Sequence, residues 1–523
     1  FDFQRLAWFS GLGGVGYARS PVRLLEPPGD GPDLFAFRLR MRLSRAIQAA
    51  IPGQAGAFAA ALMTGDRSAV SAATNAALRG ANLSHLISIS GLHMGLLTGF
   101  VFGAVRTGLA LVPPLALRLN TRKLAAIVAL SAAAFYLMLA GPNVATRRAF
   151  VMVAVMLVAV IADRRAISLR SVAIAALVVL TLEPESLVEP GFQMSFGATV
   201  ALIVVFEPWT KVQTRIPKLL RPVAMLLVSS LVAGLATAPI AAAHFNRIAD
   251  YGLLANLVAV PLMGLLVMPA GVIAALLACV GLAAPALWVM GQGTALILAV
   301  AGFVVGLEGA VRAVPTPPGF VLPVLALGGI AALIGRPLWL RGSGVILVLA
   351  AFLGWAGGDR PPLLIAGDGG LVGLMTGHGR VLSKPKGAGF VAQSWLADDG
   401  DLAGQEEAFR RGPVPTRKGA WQGTFGPHAL YHLTGKTAPA RAAALCATAA
   451  AGTIVVLNGI WPAGADRHGC DVFDLTRLNR TGALALREEG GRILITEART
   501  SAGDRLWNMP PRPHRDLRMA AAQ

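Results

Sequence analysis

Charge is scarce in this chain, and acidic charge is scarcest. Only 14% of its 523 residues are Asp, Glu, Lys or Arg, against about 25% in an ordinary soluble domain. Cysteine is nearly missing. Cys279, Cys446 and Cys470 are the whole set, and no CxxC occurs, which excludes thiol metal clusters and thioredoxin-like redox chemistry. No G-x-x-x-x-G-K-[ST] stretch is present, so no P-loop motor is built into these residues. The histidines are His85, His93, His244, His378, His428, His432, His468 and His514, and none forms H-x-H. That removes the histidine cluster with which a metallohydrolase generates hydroxide. The chain opens at Phe1 without a signal peptide. The expectation is that a further N-terminal portion, carrying the first membrane signal, precedes it.

What is abundant is apolar surface. Hydrophobic residues make up 55% and the mean hydropathy is +0.63. A soluble core of this size does not need so much, so lipid surrounds part of the chain. Apolar runs alternate with short polar or Pro/Gly breaks. The candidate spans are 92–112, 124–141, 149–162, 171–182, 191–207, 223–243, 251–275, 285–307, 320–335 and 340–356, ten in all. Two of them, 149–162 and 171–182, are short enough to be broken or re-entrant. Pro261 and Pro269 predict a kink in the seventh.

Lys and Arg number 46 against 27 Asp and Glu, a net +19. Two explanations stand: basic cytoplasmic loops, or a polyanionic ligand such as nucleic acid. Basic residues recur in every second loop: Arg118, Arg122 and Lys123; Arg164, Arg165 and Arg170; Lys211, Arg215, Lys218 and Arg221; Arg336 and Arg341. The loop at 183–190 carries Glu183, Glu185 and Glu189 and no base. Placing the basic loops inside puts both the N-terminal segment and the C-terminal domain outside. Arg147 and Arg148 are the exception, basic residues on the outer side.

Four regions follow. Residues 1–45, with Pro27, Pro28, Gly29, Gly31 and Pro32, read as the end of a small β-rich domain and a helix from Leu34. Residues 46–357 are the membrane part, opening on an Ala-rich helix at 46–65 that lies at the interface or between other helices. Residues 358–505 read as a β-rich α+β soluble domain, with strand-like runs Leu363–Ala366, Leu371–Met375, Gly389–Leu396, Thr453–Leu457 and Arg492–Thr496 and a helix near 438–451. Residues 506–523, rich in Pro and Arg, read as a disordered tail. Cys279 reads as inert packing. Cys446 and Cys470 are either a disulfide, if their domain is outside, or two buried thiols. Pairing would close a loop worth about 3 kcal/mol in the chain-entropy model.

The segment richest in chemistry is 64–95, TGDRSAVSAATNAALRGANLSHLISISGLHMG. Polar groups just ahead of a long apolar run are costly unless they pair or face water. Ser84, His85, Ser88, Ser90 and His93 either line the mouth of a pore or cap two helix ends. Asp66 and Arg67 either join that lining or form a loop ion pair. Arg147 and Arg148 either meet the phosphates of a passing strand or reach outer headgroups. Gln193 and Ser195, inside an apolar span, either line a path or bond a neighbouring helix. Trp209, Phe245 and Tyr251 read as interfacial belt residues.

Gly65-Asp66-Arg67, Leu83-Ser84-His85-Leu86 and Ile89-Ser90-Gly91-Leu92-His93 together resemble the signature of the ComEC-type competence family. Gly141 through Arg147, Arg148, Ala149 and Met152 is similar to that family's glycine-to-Arg-Ala pattern. Pro190-Gly191-Phe192-Gln193-Met194-Ser195-Phe196 is similar to its Gly-Phe-Gln-Leu-Ser element. The resemblance implies an OB-like domain ending near residue 30 and a membrane channel for one strand of DNA, entering while the other strand is degraded. The implied partners are single-stranded DNA, the bilayer, a periplasmic DNA receptor and a separate cytoplasmic helicase or motor. Ala366-Gly367-Asp368-Gly369-Gly370 resembles a worn form of the strand and turn that open the family's metallo-β-lactamase-like domain. Without the histidine cluster, this implies a lactamase-like shape that has lost its hydrolytic metal site. His428 and His432, and Cys470, Asp471 and Asp474, then read as structural.

The expectation is therefore a polytopic α-helical membrane protein with a β-rich soluble C-terminal domain. It acts as a DNA channel with no catalytic residue, cofactor or metal in these residues. A secondary transporter of a small solute or lipid precursor is the alternative, although the two halves of the membrane region show no convincing repeat. A membrane-bound metal hydrolase lacks its ligands.

Overall fold

A computed structural model describes residues 3–16, 18–21, 23, 34–141, 143–413 and 417–508. The cluster from Pro27 to Pro32 and residues 509–523 of the expected tail lie outside the described residues. The chain divides into two compact units. One joins Arg23–Arg312 with Leu322–Ala351, and the other joins Phe1–Val22, Ala313–Val321 and Phe352–Gln523. Where the end of a β-rich domain was expected, the described residues form α1 (Phe3–Phe9) and α2 (Phe35–Ala50) and no strand.

The first unit is helical. On α2, Ser44 and Ile47 are buried while Phe35 and Phe37 are exposed. The Ala-rich segment is α3 (Gly53–Thr64), with Phe58 through Leu62 fully enclosed. It packs between helices and does not lie at an interface. There follow α4 (Ala72–Gly80), α5 (Ser84–Ile87), α6 (Gly91–Ala110), α7 (Pro113–Arg118), α8 (Thr121–Ala140), α9 (Val144–Ile161), α10 (Leu169–Leu182), α11 (Pro190–Val212) and α12 (Arg221–Phe245). Strand β1 (Arg247–Ala249) precedes α13 (Gly252–Leu262), α14 (Met268–Ala278) and α15 (Ala284–Val305). Strand β2 (Val311–Ala313) pairs with β1 and precedes α16 (Val321–Ile334) and α17 (Leu338–Ala356).

Among the described residues, eight helices are long and apolar enough to cross a membrane: α6, α8, α9, α11, α12, the α13–α14 rod, α15 and α17. Helices α10 and α16, of 14 residues each, are shorter apolar helices. The span expected from residue 149 begins at Val144 and runs 18 residues, so it is neither short nor broken, and Arg147 and Arg148 lie in its first turns. Between Pro261 and Pro269 the rod widens into a π-helical turn, Met263–Val267. A proline has no N–H and crowds the carbonyl four residues back, and the wider turn absorbs both defects. Large apolar side chains such as Leu235, Leu265 and Trp288 point outward, as a lipid-facing surface demands. On α8 the small residues Ala125, Ala129 and Ala133 are fully buried and let α6 and α9 come close. Cys279 ends α14 and is exposed, not packed.

The second unit is a four-layer sandwich. Strands β3 (Leu363–Ile365), β4 (Val372–Thr376) and β5 (Gly379–Leu382) are followed by α18 (Gly389–Asp398) and α19 (Gln405–Arg410). Then come β6 (Ala420–Phe425), β7 (His428–Leu433), α20 (Ala438–Cys446), β8 (Ile454–Leu457), β9 (Asp471–Phe473), α21 (Leu475–Thr481), β10 (Leu484–Glu489), β11 (Arg492–Glu497) and α22 (Ala498–Ala502). One sheet runs β11-β10-β3-β4-β5, antiparallel throughout. The other runs β6-β7-β8-β9, antiparallel at β6–β7 and parallel beyond. Leu363, Ile365 and Leu484 of the first sheet meet Leu430, Val456 and Phe473 of the second in one core. The outer face of the first sheet is covered by α18 and α19, and that of the second by α20. Gly389–Leu396, expected as a strand, is helical because Ala392 and Leu396 share one buried helix face. Cys446 and Cys470 form a disulfide between α20 and the start of β9, with Cα atoms 5.9 Å apart.

Candidate functional site

Three corners of the helical unit hold the residues singled out from the sequence. The first lies where α3 ends. Gly65 takes a left-handed conformation (φ +75°), and a Cβ there would stand 2.5 Å from the Ala140 carbonyl oxygen at the end of α8. Only glycine allows this approach. Asp66 then accepts a hydrogen bond from the buried Ser44 hydroxyl at 2.6 Å and another from the Ser68 N–H at 3.0 Å. Arg40 donates to the Leu139 carbonyl at 2.7 Å, and its guanidinium fills the space that a side chain at Gly141 would need. Arg67 is exposed and is not the ion-pair partner of Asp66.

The second corner is α5 and the start of α6. Ser84 is half-buried, and the exposed His85 sets Nδ1 3.1 Å from the Asn82 carbonyl. The Ser90 N–H donates to His93 Nδ1 at 3.2 Å, and the Ser90 hydroxyl lies 3.0 Å from the same nitrogen. Nδ1 is therefore the acceptor and Nε2 carries the ring proton. His93 is fully buried, and Nε2 has no partner. So Ser90 and His93 cap α6, the structural alternative, yet leave one donor unsatisfied inside an apolar layer.

The third corner explains the misplaced arginines. Arg147 pairs with Glu183 at 2.5 Å, and the buried Arg148 meets Glu189 at 3.6 Å with its Nε unpartnered. Gly191 leaves room for the Arg148 guanidinium; any side chain there would collide with it. Gln193 donates to the Leu187 carbonyl at 3.1 Å and meets His244 Nε2 at 3.0 Å. Ser195 is half-buried on α11, its carbonyl bonded by Thr199. Arg40, Ser44 and His244 escaped sequence reading, since their partners are distant in the chain. The pairing of Arg147 and Arg148 was legible: the acid-only loop 183–190 falls on the side where these two bases are exceptional.

The three corners share one end of the helix layer. The end of α8 meets Gly65, the start of α9 meets the end of α10 and the start of α11, and the start of α11 meets the end of α12. At the other end Lys123 pairs with Asp163 at 2.5 Å, among the basic loops.

In the second unit the tempting metal ligands are otherwise engaged. Buried His432 sets Nε2 2.9 Å from the Gly369 carbonyl, and burial pushes its pKa down to about 4. His428 sets Nδ1 2.9 Å from the Gly452 carbonyl. Asp474 accepts from the N–H groups of Trp461 and Arg477, each at 3.1 Å, and Asp471 pairs with Arg477 at 2.5 Å. Cys470 is in the disulfide. Among the described residues, no three His, Cys, Asp or Glu side chains gather as a metal set would.

Fold and site together define a multi-pass membrane protein with a polar, partly charged helix-end cluster and a sandwich appended. The family model described as "Competence protein" matches residues 62–339, just over half of the chain, and the chain belongs to that family. It is also similar to ComE operon protein 3 of Bacillus subtilis (strain 168), 28% identical over 250 residues, which is 47% of this chain and 30% of the relative. The match thus spans less than a third of that protein's length. No solved structure matches significantly.

Proposed function

We propose that the chain is a channel that passes single-stranded DNA across the cytoplasmic membrane during natural transformation. The observation that carries this reading is the gathering of polar side chains from distant motifs at one end of an otherwise apolar helix layer. Such groups are costly at membrane depth unless they pair or serve a polar cargo, and His93 Nε2 and Arg148 Nε are buried without a partner. Family membership agrees with a role in DNA uptake. All ten apolar helices cross in this reading, including the shorter α10 and α16. The positive-inside rule then sets the basic loops in the cytoplasm, and the polar end, the N-terminal segment and the C-terminal domain outside. Glu183 and Glu189 neutralise Arg147 and Arg148 at that outer end, so these arginines position helices and do not carry the strand on their own.

The four-layer sandwich supports a lactamase-like descent for the C-terminal domain, and its engaged histidines support loss of the metal site. With no P-loop in the sequence, a separate cytoplasmic helicase or motor pulls the strand, and a periplasmic receptor delivers it. The test is import of labelled DNA into a nuclease-protected state in cells. His85→Ala and His93→Ala are expected to abolish import and keep surface binding. Normal import in both variants, with normal protein levels, would remove the polar corner from the path.

A further inference from the structure

The polar corner continues to a basic rim that no motif marks. The β1–β2 ribbon joins the end of α12 to the end of α15, and the Asp250 N–H donates to the Ala310 carbonyl at 3.1 Å. The end of α4 packs on the same place: a Cβ at Gly80 would meet Val305 at 2.8 Å and Val311 at 3.4 Å. This brings the Arg79 guanidinium within electrostatic reach of Arg247 on β1. Two acids flank the ribbon. Asp250 is held by Arg312 in two hydrogen bonds, at 2.6 and 3.3 Å, and Glu308 is exposed on the turn before β2. Among the described residues, no carboxylate pairs with Arg79 or Arg247. Each turns its Nε to a backbone carbonyl, Arg79 to Asn75 at 3.2 Å and Arg247 to Phe245 at 3.3 Å, and two neighbouring like charges without an acid favour an anion.

From this rim polar groups run inward. The Asn82 side chain lies on Gly252, where a Cβ would come within 2.8 Å of it. One turn further along α13, the Asn256 Oδ1 is buried without a partner. Asn82 carries His85, and His85 lies within electrostatic reach of His93, whose Nε2 is likewise unpartnered.

We propose that Arg79 and Arg247 are the phosphate-recognising entry of the strand path, passing backbone phosphates to Asn82, His85 and His93, while the Asn256 Oδ1, an acceptor, is left for a donor group of the strand such as a base N–H. This rests on the channel reading and adds the residues that first grip the strand. A strand phosphate and a lipid headgroup share the same chemistry, and we commit to the strand.

The test uses the full chain in zwitterionic lipid nanodiscs, with binding of a fluorescent oligothymidylate measured across a salt series. Two lost phosphate contacts should lower the log–log salt slope by about 1.4 and weaken binding at least ~10-fold near 0.1 M salt. R79Q/R247Q is expected to show this, R79K/R247K to keep most of the affinity, and R79Q alone, a change at an exposed position, to show about half the slope change. Wild-type binding with an unchanged slope in these variants overturns the entry alone. An effect confined to nanodiscs with anionic lipid also overturns it, in favour of a headgroup site. Absence of wild-type binding overturns the channel reading as well.

Discussion

Two buried guanidinium groups, one in each unit, are held in opposite ways. In the C-terminal sandwich, Arg380 is fully enclosed and every nitrogen is satisfied. Nε donates to Asp399 at 2.5 Å, one Nη to the Gly373 carbonyl at 3.2 Å, and the other to Asp399 at 2.9 Å and the Pro361 carbonyl at 3.1 Å. In the helical unit, Arg148 is nearly as buried, yet its carboxylate stands 3.6 Å away and its Nε has no partner. A saturated buried pair fixes one structure, because removing either member strands a charge. A partly satisfied one can exchange partners at smaller cost. The Arg380 pair thus has one saturated arrangement, although the sandwich also buries two unpartnered donors, Trp421 Nε1 and Arg441 Nε, whereas the Arg148 corner keeps a guanidinium nitrogen unpartnered that the proposed channel would set beside its charged cargo.

Removing an acid from each pair tests this contrast most strongly. Asp399→Ala is expected to destabilise the sandwich by about 3–5 kcal/mol, read by denaturation of the full chain in detergent with a probe at the buried Trp421. A loss below about 1 kcal/mol would mean that Arg380 is not held as described. Acidification comes next. His432 is buried neutral with its pKa near 4, below the unfolded value of about 6.5. The unfolded chain therefore binds the proton first as pH falls. The stabilisation is complete above pH 6.5, declines between 6.5 and 4, and reaches a loss of about 3 kcal/mol. His432→Gln should flatten this window, and an unchanged pH profile would contradict the burial argument. The smallest effect on stability is expected from Glu189→Gln, about 1–2 kcal/mol, since Arg148 is buried but its carboxylate already stands 3.6 Å away and the Gln carbonyl can still accept. Its effect on DNA import should be much larger, and a variant that imports normally would place the Arg148 corner outside the path.

Much of the helical unit was legible because a membrane helix declares itself locally: a long apolar run, bounded by charge or Pro/Gly. The sandwich was harder to read. Its strands are short, and Gly389–Leu396 mixes aromatic and β-branched residues that mimic a strand, although Ala392 and Leu396 at helical spacing were there to be counted. Strands β6 and β7 went unread, although Gly426-Pro427 marks the turn between two alternating runs. The motif glycines were visible as a pattern, but not their reasons. Gly65, Gly141 and Gly191 each admit a group from elsewhere in the chain: the Ala140 carbonyl, the Arg40 guanidinium and the Arg148 guanidinium. A single sequence carries no record of such distant partners.

The most direct measurement is site-specific photocross-linking in cells importing labelled DNA, with a photoreactive residue at the half-buried position 84, at position 247 or at the outward-facing position 235. Cross-links to the strand from 84 and 247, and none from 235, are the expected result. Active import with 84 and 247 both silent would contradict the claim that DNA enters through the polar end of the helix layer.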